Sequence, residues 1–458
     1  MNVDDPHSGR ALLVDLYELT MAAAYFEHRV DCRATFELFV RQLPPQRSYL
    51  LAAGIESALD YLESLRFTDD DLRFLRNQPA FRTVSEEFFA YLKAFRFTGE
   101  VLAIPEGSLI FAEEPILQVT APVLEAQVVE TYLLSVINFE TLIASKASRV
   151  VDAAHGRGVL EFGTRRAHGP EAGVRAARAA YVGGCAATSN VLAGYRYGIP
   201  LAGTAAHSWT QVFPSERESF EALLETFPEQ AILLIDTYDS LVGTETAATL
   251  GRKVPGVRLD SGDLLEKSRQ VRAILDRHGH TSAKIVASGD LNEHKIERLL
   301  AEGAPIDLFG VGTDLATSRD VPTLSVVYKL VETERDGRTE YKTKFSDQKV
   351  HWPGRKQVFR FLRDGRFDRD VIARAHEEFT GGEPLLEPAM QSGRRIRPPV
   401  PLAEIRARAL ANVARLPERH RALRDTACYP VEKSPALEQL LDEVRERYLG
   451  VPRGAGIG

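Results

Sequence analysis

Apolar and polar positions in the first third of the chain follow two different periods. Apolar residues recur every three or four positions in LYELTMAAAYF and in AAGIESALDYLESL, which predicts two helices, with Asp15 as an N-cap of the first. ATFELFV and GEVLAIPEGSLIFAEEPILQVTAP alternate and contain turn residues, as a small sheet with hairpins does. A long helical run, VLEAQVVETYLLSVINFETLIASKASRVVDAA, follows. We therefore predict an N-terminal α+β domain over residues 1–154.

From residue 155 to residue 331 the pattern changes to short apolar strands that alternate with helices such as NEHKIERLLAEG. The strand candidates are VLEF, PLAG, AILLI, GVRL, KIVAS, DLFGVG and LSVVYKLV, with an eighth at residues 181–184. This alternation indicates a parallel sheet with crossover helices. An open doubly wound sheet and a closed barrel both fit the pattern. A count near eight over roughly 175 residues favours an irregular TIM-like α/β barrel.

The last region, residues 332–458, begins with a charged segment punctuated by glycines and ends with two helical stretches near residues 402–415 and 436–448. We expect it to pack back on the N-terminal domain. The predicted fold class is therefore α/β, with an irregular TIM-like barrel plus an N-terminal α+β domain to which the C-terminal segment returns.

Composition excludes several classes of protein. The chain is 44% hydrophobic and 26% charged, which is ordinary for a globular protein. Its net charge of -7 argues against a nucleic acid or an anionic membrane as partner. Cys32, Cys185 and Cys428 lie far apart, as free reduced thiols do. There is no apolar stretch near the roughly 18 residues of a membrane span and no signal-peptide core, so a cytoplasmic location is expected.

Polar residues and glycines follow the predicted strands at six successive strand ends. In chain order these residues are Gly163, Thr164 and Arg165; Thr204 and His207; Asp236 and Asp239; Arg258, Asp260 and Asp263; Gly289 and Asp290; and Gly312, Thr313 and Asp314. In a parallel α/β architecture, functional groups collect at the carboxyl ends of the strands. A barrel topology would therefore gather these side chains on one face.

The residue types at these strand ends are those that hold a phosphorylated ligand. Arg165 and Arg258, from different strands, can clamp phosphates with the forked geometry of the guanidinium group. The glycines allow backbone N–H groups to line a phosphate pocket. Asp260 and Asp290 can hold Mg²⁺, which takes carboxylates together with substrate oxygens. The set predicts a site for a phosphorylated, metal-bound substrate.

One imidazole adds a nucleophile to this site. His207 beside Asp236 would be a histidine fixed by a carboxylate and able to accept a phosphoryl group. Plainer interpretations exist for each motif: DSGD can cap a helix, and His207 can be an ordinary histidine. ILLIDTYDSLVGTET also has some likeness to the phosphoribosyl-diphosphate loop of type I phosphoribosyltransferases, but it lacks the adjacent acids and the second glycine-hydroxyl turn.

Taken together, the motifs resemble those of the nicotinate phosphoribosyltransferases, in the type II phosphoribosyltransferase group. The resemblance runs nearly end to end, through DLYELTMAAAYF, EFGTRRAHGPEAG, GGCAATSNVLAG, GIPLAGTAAHSW, LLIDTYD, GVRLDSGDL, SGDLNEHKI, FGVGTDLATS, VYKLV and PGRKQVFR. Each motif is weakly specific alone, but their joint occurrence in this order is strong evidence for the family.

The resemblance implies a reaction. Nicotinate attacks C1 of 5-phosphoribosyl-1-diphosphate, diphosphate leaves, and nicotinate mononucleotide forms for NAD biosynthesis. ATP is a co-substrate whose hydrolysis is coupled through a phosphorylated histidine, and Mg²⁺ is the implied cofactor. The expected assembly is a homodimer with a shared active site.

The resemblance also implies roles for single residues. His207 matches the phosphohistidine, Asp236 would orient it, and Asp260 completes the predicted catalytic set. Tyr17 matches an aromatic residue that stacks on nicotinate from the partner subunit, while Thr204 and Arg258 match nicotinate contacts. The positions that match contacts to the phosphoribosyl and diphosphate groups are Arg165, Asp260, Asp290, Gly312 and Thr313.

Ser189 bears on the choice of base. Related nicotinamide enzymes carry an aspartate at the matching position, and an aspartate there would repel the carboxylate of nicotinate. Ser189 therefore favours the acid over the amide, although it could also cap the helix that follows. A nicotinamide or quinolinate phosphoribosyltransferase and a non-catalytic nicotinate-binding sensor stay open as alternatives.

Overall fold

The computed structural model of the chain describes residues 10–45, 47–346 and 350–450. Helices and antiparallel strands alternate in the N-terminal part. Its helices are α1 (Leu16–Glu27), α2 (Ile55–Ser64), α3 (Asp69–Arg76), α4 (Glu86–Ala94), α5 (Val123–Gln127) and α6 (Glu130–Ala153). Its strands are β1 (Arg33–Val40), β2 (Leu50–Leu51), β3 (Glu100–Ala103), β4 (Leu109–Ile110) and β5 (Pro115–Pro122).

The central part follows the strand–helix alternation expected of a parallel sheet. Its strands are β6 (Gly158–Glu161), β7 (Ala187–Thr188), β8 (Ile232–Leu234), β9 (Gly256–Leu259), β10 (Lys284–Ala287) and β11 (Leu308–Val311). Its helices are α7 (Pro170–Val182), α8 (Val191–Tyr197), α9 (His207–Val212), α10 (Glu216–Thr226), α11 (Ser240–Ala248), α12 (Leu264–Arg277), α13 (Glu293–Ala301) and α14 (Thr313–Ala316).

The C-terminal part is mainly strand and ends in two helices. Its strands are β12 (Val326–Arg335), β13 (Arg338–Tyr341), β14 (Lys356–Arg363), β15 (Arg366–Arg374), β16 (Gly382–Pro384), β17 (Glu387–Gln391), β18 (Arg394–Arg395) and β19 (Val431–Lys433). Its helices are α15 (Leu402–Arg415) and α16 (Pro435–Leu449), which confirms both predicted helical stretches.

The N-terminal sheet is built from both ends of the chain. Its seven strands lie in the order β13-β12-β1-β5-β3-β17-β18, and β1 pairs antiparallel with both β12 and β5. A second sheet of the C-terminal part has the order β16-β14-β15-β19. Because four strands of the seven come from the C-terminal part, the return of the C-terminal segment to the N-terminal domain is confirmed. The boundaries at residues 154 and 331 stay a proposal, since β12 runs across the second.

The central sheet is a curled parallel half-barrel, which confirms the α/β, barrel-like fold class. Its strand order is β7-β6-β11-β10-β9-β8. Read in a circle, this is the chain order of an α/β barrel. Among the described strands the ladder is interrupted once, between β7 and β8. Parallel pairing also brings the carboxyl ends of all six strands to the same edge.

Two strand predictions for the central region were wrong, and a third predicted strand forms but belongs to another sheet. PLAG makes only a single bridge, from Leu201 to Thr188. Residues 181–184 lie at the end of α7, which starts with Pro170 at its first position and is rich in alanine, a strong helix former. LSVVYKLV contains most of β12 and pairs with β1 in the antiparallel sheet. The apolar content of a segment can predict a strand, but it does not determine which sheet that strand joins.

Helix α6 connects the two hydrophobic cores. The apolar residues of its first half, from Tyr132 to Leu142, pack in the N-terminal core, and those from Ile143 to Ala153 pack in the core of the half-barrel. The run Val123–Ala153 is long and apolar enough to cross a membrane, but 67% of its most apolar window is buried inside the fold. This helix is therefore a core element shared by both parts.

A buried group of charges ties α6 to the half-barrel. Lys146 on α6 contacts Glu293 on α13 at 2.7 Å and Asp320 at 2.9 Å. Arg149 reaches the other oxygen of Glu293 at 3.3 Å, and Arg47 from the N-terminal part contacts Asp320 at 3.3 Å. Charges removed from water are stable only when paired, so each partner depends on the others.

We predict that Glu293→Gln destabilises the protein by about 3 kcal/mol or more, because it leaves Lys146 and Arg149 charged in a dry interior. Glu86→Gln is the matched control: Glu86 pairs with Arg76 on the surface, and its loss is expected to cost less than about 0.5 kcal/mol. Urea unfolding of both variants checks this. Equal midpoints for the two variants would contradict it.

Candidate active site

A cleft of about 380 Å³ lies at the carboxyl edge of the parallel sheet. The predicted site residues among those that line it are Arg165, Ser189, Thr204, His207, Arg258 and Asp260. They come from positions that follow β6 and β7, from the segment between β7 and β8, and from the last part of β9 and the residue after it. The structure therefore brings together cations, an acid, hydroxyl groups and an imidazole that are far apart in sequence.

The segment that carries Thr204 and His207 occupies the interruption in the sheet. Leu201 bridges to Thr188 at the end of β7, and the His207 Nδ1 atom lies 3.2 Å from the hydroxyl of Thr237, just beyond β8. The segment thus crosses from one side of the gap to the other. Because no strand fills this gap, a loop can place its side chains inside the curl of the sheet.

Arg258 is the most extensively bonded residue of the cleft. Its guanidinium donates from Nε to the Ser288 hydroxyl at 2.7 Å, from Nη1 to the Thr204 hydroxyl at 2.6 Å and from Nη2 to Asp260 Oδ1 at 2.7 Å. The Phe162 ring lies 5.8 Å from the guanidinium carbon, within the range of a cation–π contact. Arginine has five N–H groups, so these three bonds leave two for a ligand.

Asp260 is held as a carboxylate. Burial alone would raise its pKa, but the hydrogen bond from Ser288 and the charge of Arg258 outweigh burial, and the pKa lies below the ordinary value for an aspartate. Both of these donors bind Oδ1. The other oxygen, Oδ2, faces His207 Nε2 at 3.8 Å. Asp260 therefore presents a charged oxygen to the imidazole and to the cleft.

The expected contact between Asp236 and His207 was wrong. One oxygen of Asp236 accepts from the backbone N–H of Asp260 at 2.8 Å and from the Ser261 hydroxyl at 2.9 Å. The imidazole instead meets Thr237 and Asp260. The reason is geometric: the β8 loop aims Asp236 towards the neighbouring β9 loop, and the next residue faces the histidine. Asp236 thus acts on the site through the backbone of Asp260.

Two acids and an amide of these loops cap helices. The Asp239 side chain accepts from two N–H groups of α11, and Asp263 does the same for α12. Asn190 caps α8, so the interpretation of Ser189 as that cap was wrong. Ser189 is exposed in the cleft instead. Capping therefore accounts for the second acid of DTYD and of DSGD but for neither Asp236 nor Asp260.

Asp290, Gly312 and Thr313 lie at the same edge but not among the residues that line the cleft. Gly289 has a φ of +96°, and a Cβ added there would lie 2.0 Å from the carbonyl oxygen of Asp260, so the β10 loop runs against the β9 loop. Asp290 follows on that loop with an exposed side chain. Gly312 follows β11, and Thr313 begins the short helix α14.

Tyr17 lies elsewhere on the molecule. It is on α1 with 46% of its surface exposed, beside Glu18 and Glu130. Burial of its hydroxyl and the charges of these two acids raise its pKa above the ordinary value. Tyr17 is not part of the cleft lining of its own chain, so its predicted role depends on a second copy.

The carboxylates of the cleft fit Mg²⁺. In residues 10–45, 47–346 and 350–450 there is no cluster of three or more His, Cys, Asp or Glu side chains arranged for a metal ion. Mg²⁺ needs only one or two carboxylates when substrate phosphates and water supply the other ligands. The Oδ2 atom of Asp260 faces the cleft, and the buried Oδ1 atom of Asp236 has no hydrogen-bond partner. Asp260 Oδ2 is therefore the cleft oxygen that can bind Mg²⁺ together with substrate phosphates, and Asp290, exposed at the same edge, is the second expected ligand.

Comparison with known proteins decides the family. Residues 12–138 match the nicotinate phosphoribosyltransferase N-terminal domain, residues 158–350 the nicotinate phosphoribosyltransferase family and residues 378–441 its C-terminal domain. The chain belongs to the nicotinate phosphoribosyltransferase family. This membership confirms the resemblance stated from the motifs, and it confirms an enzyme that forms a C–N bond with a phosphoribosyl group.

Individual members of the family are similar over nearly the whole chain. A nicotinate phosphoribosyltransferase of Mycobacterium tuberculosis is 48% identical over 443 residues, covering 95% of this chain and 94% of the relative. One of Bacillus subtilis is 43% identical over 380 residues, covering 80% and 77%. The crystal structure of human nicotinic acid phosphoribosyltransferase is 31% identical with a TM-score of 0.81, covering 94% of this chain and 99% of that one.

Sequence reasoning missed four residues that shape the site. Phe162 lines the cleft and lies near Arg258, Ser288 bonds Arg258 and Asp260, and Thr237 contacts His207. The fourth, Glu161, is buried and accepts hydrogen bonds from Thr188 and from the backbone at Gly163. Their one common signal is position, because each lies at or just past the end of a parallel strand.

We predict that Gly289→Ala sharply lowers activity, since the added Cβ cannot fit against the carbonyl of Asp260 and the loop must move. Gly303→Ala is the matched control. Its φ is also positive, at +78°, but nothing lies within 4 Å of an added Cβ, so only about 1 kcal/mol of backbone strain is expected. Thermal unfolding and turnover of both variants separate the two effects. Similar activities in the two variants would show that the close approach is unimportant.

Proposed function

We propose that the cleft joins nicotinate to the phosphoribosyl group of 5-phosphoribosyl-1-diphosphate, releasing nicotinate mononucleotide and diphosphate for NAD biosynthesis by nicotinate salvage. ATP hydrolysis drives the reaction through phosphorylation of His207. One observation carries this proposal: an arginine with two N–H groups left for a ligand stands beside an ionised aspartate, which in turn faces an exposed imidazole.

The chemistry of the pocket suits an anionic aromatic base. The two remaining N–H groups of Arg258 can pair with the carboxylate of nicotinate, since guanidinium and carboxylate groups match in shape. Thr204 and Phe162 add a hydroxyl group and an aromatic ring beside that arginine. Ser189 lines the cleft without a charge that would repel the carboxylate. These features favour nicotinate over nicotinamide.

The other charged groups of the site are proposed to stabilise the charge that develops when diphosphate leaves the ribose. The bond from C1 to diphosphate breaks with oxocarbenium character, so negative charge builds on the leaving group and groups that bind it better in the transition state lower the barrier. Arg165 is an exposed cation of the cleft suited to this task. When bound, Mg²⁺ would supply further neutralisation of diphosphate charge, with Asp260 and Asp290 as its proposed ligands.

His207 is positioned to accept a phosphoryl group. The imidazole is 43% exposed, so ATP can reach it, and both of its nitrogens have a neighbour. Asp260 Oδ2 faces Nε2, and the Thr237 hydroxyl faces Nδ1. An ionised carboxylate on one side favours the imidazole tautomer that carries its proton on Nε2. The lone pair of Nδ1 then accepts from the Thr237 hydroxyl, and it can attack when that hydroxyl rotates away. A phosphorylated His207 then adds negative charge beside the substrate site.

The proposal also covers the substrates, the cellular location and the partner subunit. The substrates are small molecules, and we propose that the enzyme works in the cytoplasm without nucleic acid or membrane. Gly312 and Thr313 at the end of β11 are proposed to approach the phosphoribosyl group. Tyr17 is proposed to stack on nicotinate from the partner subunit of a homodimer. A partner's aromatic residue would close a cleft that is open on one side in the single chain.

Purified protein incubated with radiolabelled nicotinate, 5-phosphoribosyl-1-diphosphate, ATP and Mg²⁺ should yield labelled nicotinate mononucleotide. His207→Ala should abolish the ATP-dependent part of this turnover and the acid-labile phosphoprotein formed from labelled ATP, leaving slow basal transfer. His278→Ala is the control, because His278 pairs with Glu245 on the surface. It should behave like the unchanged protein.

Two outcomes would count against this proposal. Nicotinate binding without any product would favour a sensor that kept the pocket, and unchanged ATPase activity in His207→Ala would refute the role of the histidine. Faster turnover of nicotinamide than of nicotinate, in direct competition, would reverse the assignment of the base.

Mixing two inactive variants tests the shared site. Tyr17→Ala and His207→Ala each damage every site in a homodimer, but a mixed dimer contains one site with both changes and one with neither. Reassociation of equal amounts should therefore restore about a quarter of full activity. Tyr238→Ala, at an exposed tyrosine of the β8 loop, replaces Tyr17→Ala in the control mixture, which should keep about half of full activity whether or not the subunits exchange. Activity that never rises above that of the separate variants would show that Tyr17 acts within its own chain or not at all.

A further inference from the structure

Ser288 occupies a position that the proposed reaction leaves without a task. It follows β10 directly, its side chain is buried, and its backbone N–H donates to the carbonyl of Leu259 at 2.8 Å. Strand β10 pairs in parallel with β9, with Val286 opposite Arg258 and Ala287 opposite Leu259. This register sets the hydroxyl of Ser288 beside the two charged side chains of β9.

The hydroxyl of Ser288 completes a closed ring of hydrogen bonds. It accepts from Arg258 Nε at 2.7 Å and donates to Asp260 Oδ1 at 2.5 Å, while Arg258 Nη2 donates to the same oxygen at 2.7 Å. A hydroxyl has one proton to donate, so this arrangement uses it on the carboxylate. The ring fixes the plane of the guanidinium and the rotation of the carboxylate together.

The ring of hydrogen bonds determines which atoms of Arg258 and Asp260 face the cleft. Ser288 holds Nε of Arg258 and Thr204 holds Nη1. The N–H groups of Arg258 that remain therefore point in a fixed direction. Because both donors bind Oδ1 of Asp260, Oδ2 is the oxygen that faces His207. Without the hydroxyl, the guanidinium keeps its charge but can rotate about its last bonds, and orientation is lost.

We propose that Ser288 is a positioning residue, which orients Arg258 for the carboxylate of the base and so sets affinity for nicotinate. It touches neither substrate and acts through the arginine. This inference rests on the proposed function and adds a residue to it. The charge-assisted hydrogen bond from Arg258 to Ser288 is of the stronger kind, since its donor is ionised.

The test is a double-mutant cycle on binding and turnover. Ser288→Ala should raise the Kd and the KM for nicotinate about tenfold, the effect expected from losing one hydrogen bond to a charged group, with KM for ATP within about twofold. Arg258→Lys weakens nicotinate binding by itself. In the Arg258→Lys background, Ser288→Ala should then have no further effect on the Kd, because the orientation it protects is already gone.

A buried serine far from the charged ring provides the control. Ser268 on α12 is fully buried and its hydroxyl bonds the carbonyl of Leu265 at 3.0 Å. Ser268→Ala should leave KM for nicotinate unchanged. A purely structural role for Ser288 would lower the active fraction, and therefore kcat, without moving KM or Kd.

The outcomes separate the two proposals. An unchanged Kd in Ser288→Ala, or an equal increase in the presence and absence of Arg258, overturns the positioning role while the proposed function stands. If the unchanged protein makes no nicotinate mononucleotide, the proposed function fails first and the positioning role fails with it. An increase in Kd that disappears in the Arg258→Lys background supports both.

Discussion

The site depends on two opposite charges that stand two residues apart at the end of one strand. Side chains at positions i and i+2 of a strand point to the same face, so Arg258 and Asp260 meet while Leu259 between them is buried in the core. Burial raises the pKa of Asp260, but the hydrogen bond from Ser288 and the charge of Arg258 together hold it below the ordinary value for an aspartate. Residues from the loops after the neighbouring strands form hydrogen bonds with this pair. Thr204 and Ser288 contact the arginine, and Asp236 holds the backbone of the aspartate.

This arrangement is possible because the parallel sheet is incomplete. In a closed barrel, a strand would fill the space between β7 and β8. Its backbone N–H and C=O groups would form hydrogen bonds with both neighbouring strands. Here a loop crosses the gap and carries both a hydroxyl for Arg258 and the imidazole. Helix α6 compensates for the opening on the other side, since it packs in both cores and brings buried cations to Glu293. The half-barrel is thus supported by packing against α6, and its gap lies at the candidate cleft.

The strand ends of the half-barrel could be predicted from sequence because a short apolar run that stops at a polar residue or a glycine is typical of a buried parallel strand. The curled parallel sheet followed from such patterns, the final helices followed from the helical spacing of apolar residues, and the family followed from the resemblance of the motifs. Partners in the loops could not be predicted. DTYD gives no sign that Asp236 turns to the next loop while Thr237 faces the histidine, since this depends on backbone direction. Ser288 was hidden for a different reason, because serines are common and only the register of β9 and β10 makes this one important.

The pairing of β1 with β12 has a consequence for the order in which the molecule is made. β1 can pair with β5 early, but Arg33 lies opposite Glu334, so the other edge of β1 has no partner until some three hundred further residues have been synthesised. All six strands of the half-barrel emerge during that interval and can assemble first. Meanwhile β1 has an unpaired edge, which is the kind of surface that chaperones protect. A nascent chain that stops before β12 would therefore contain all the residues of the candidate cleft, but its N-terminal sheet would be incomplete.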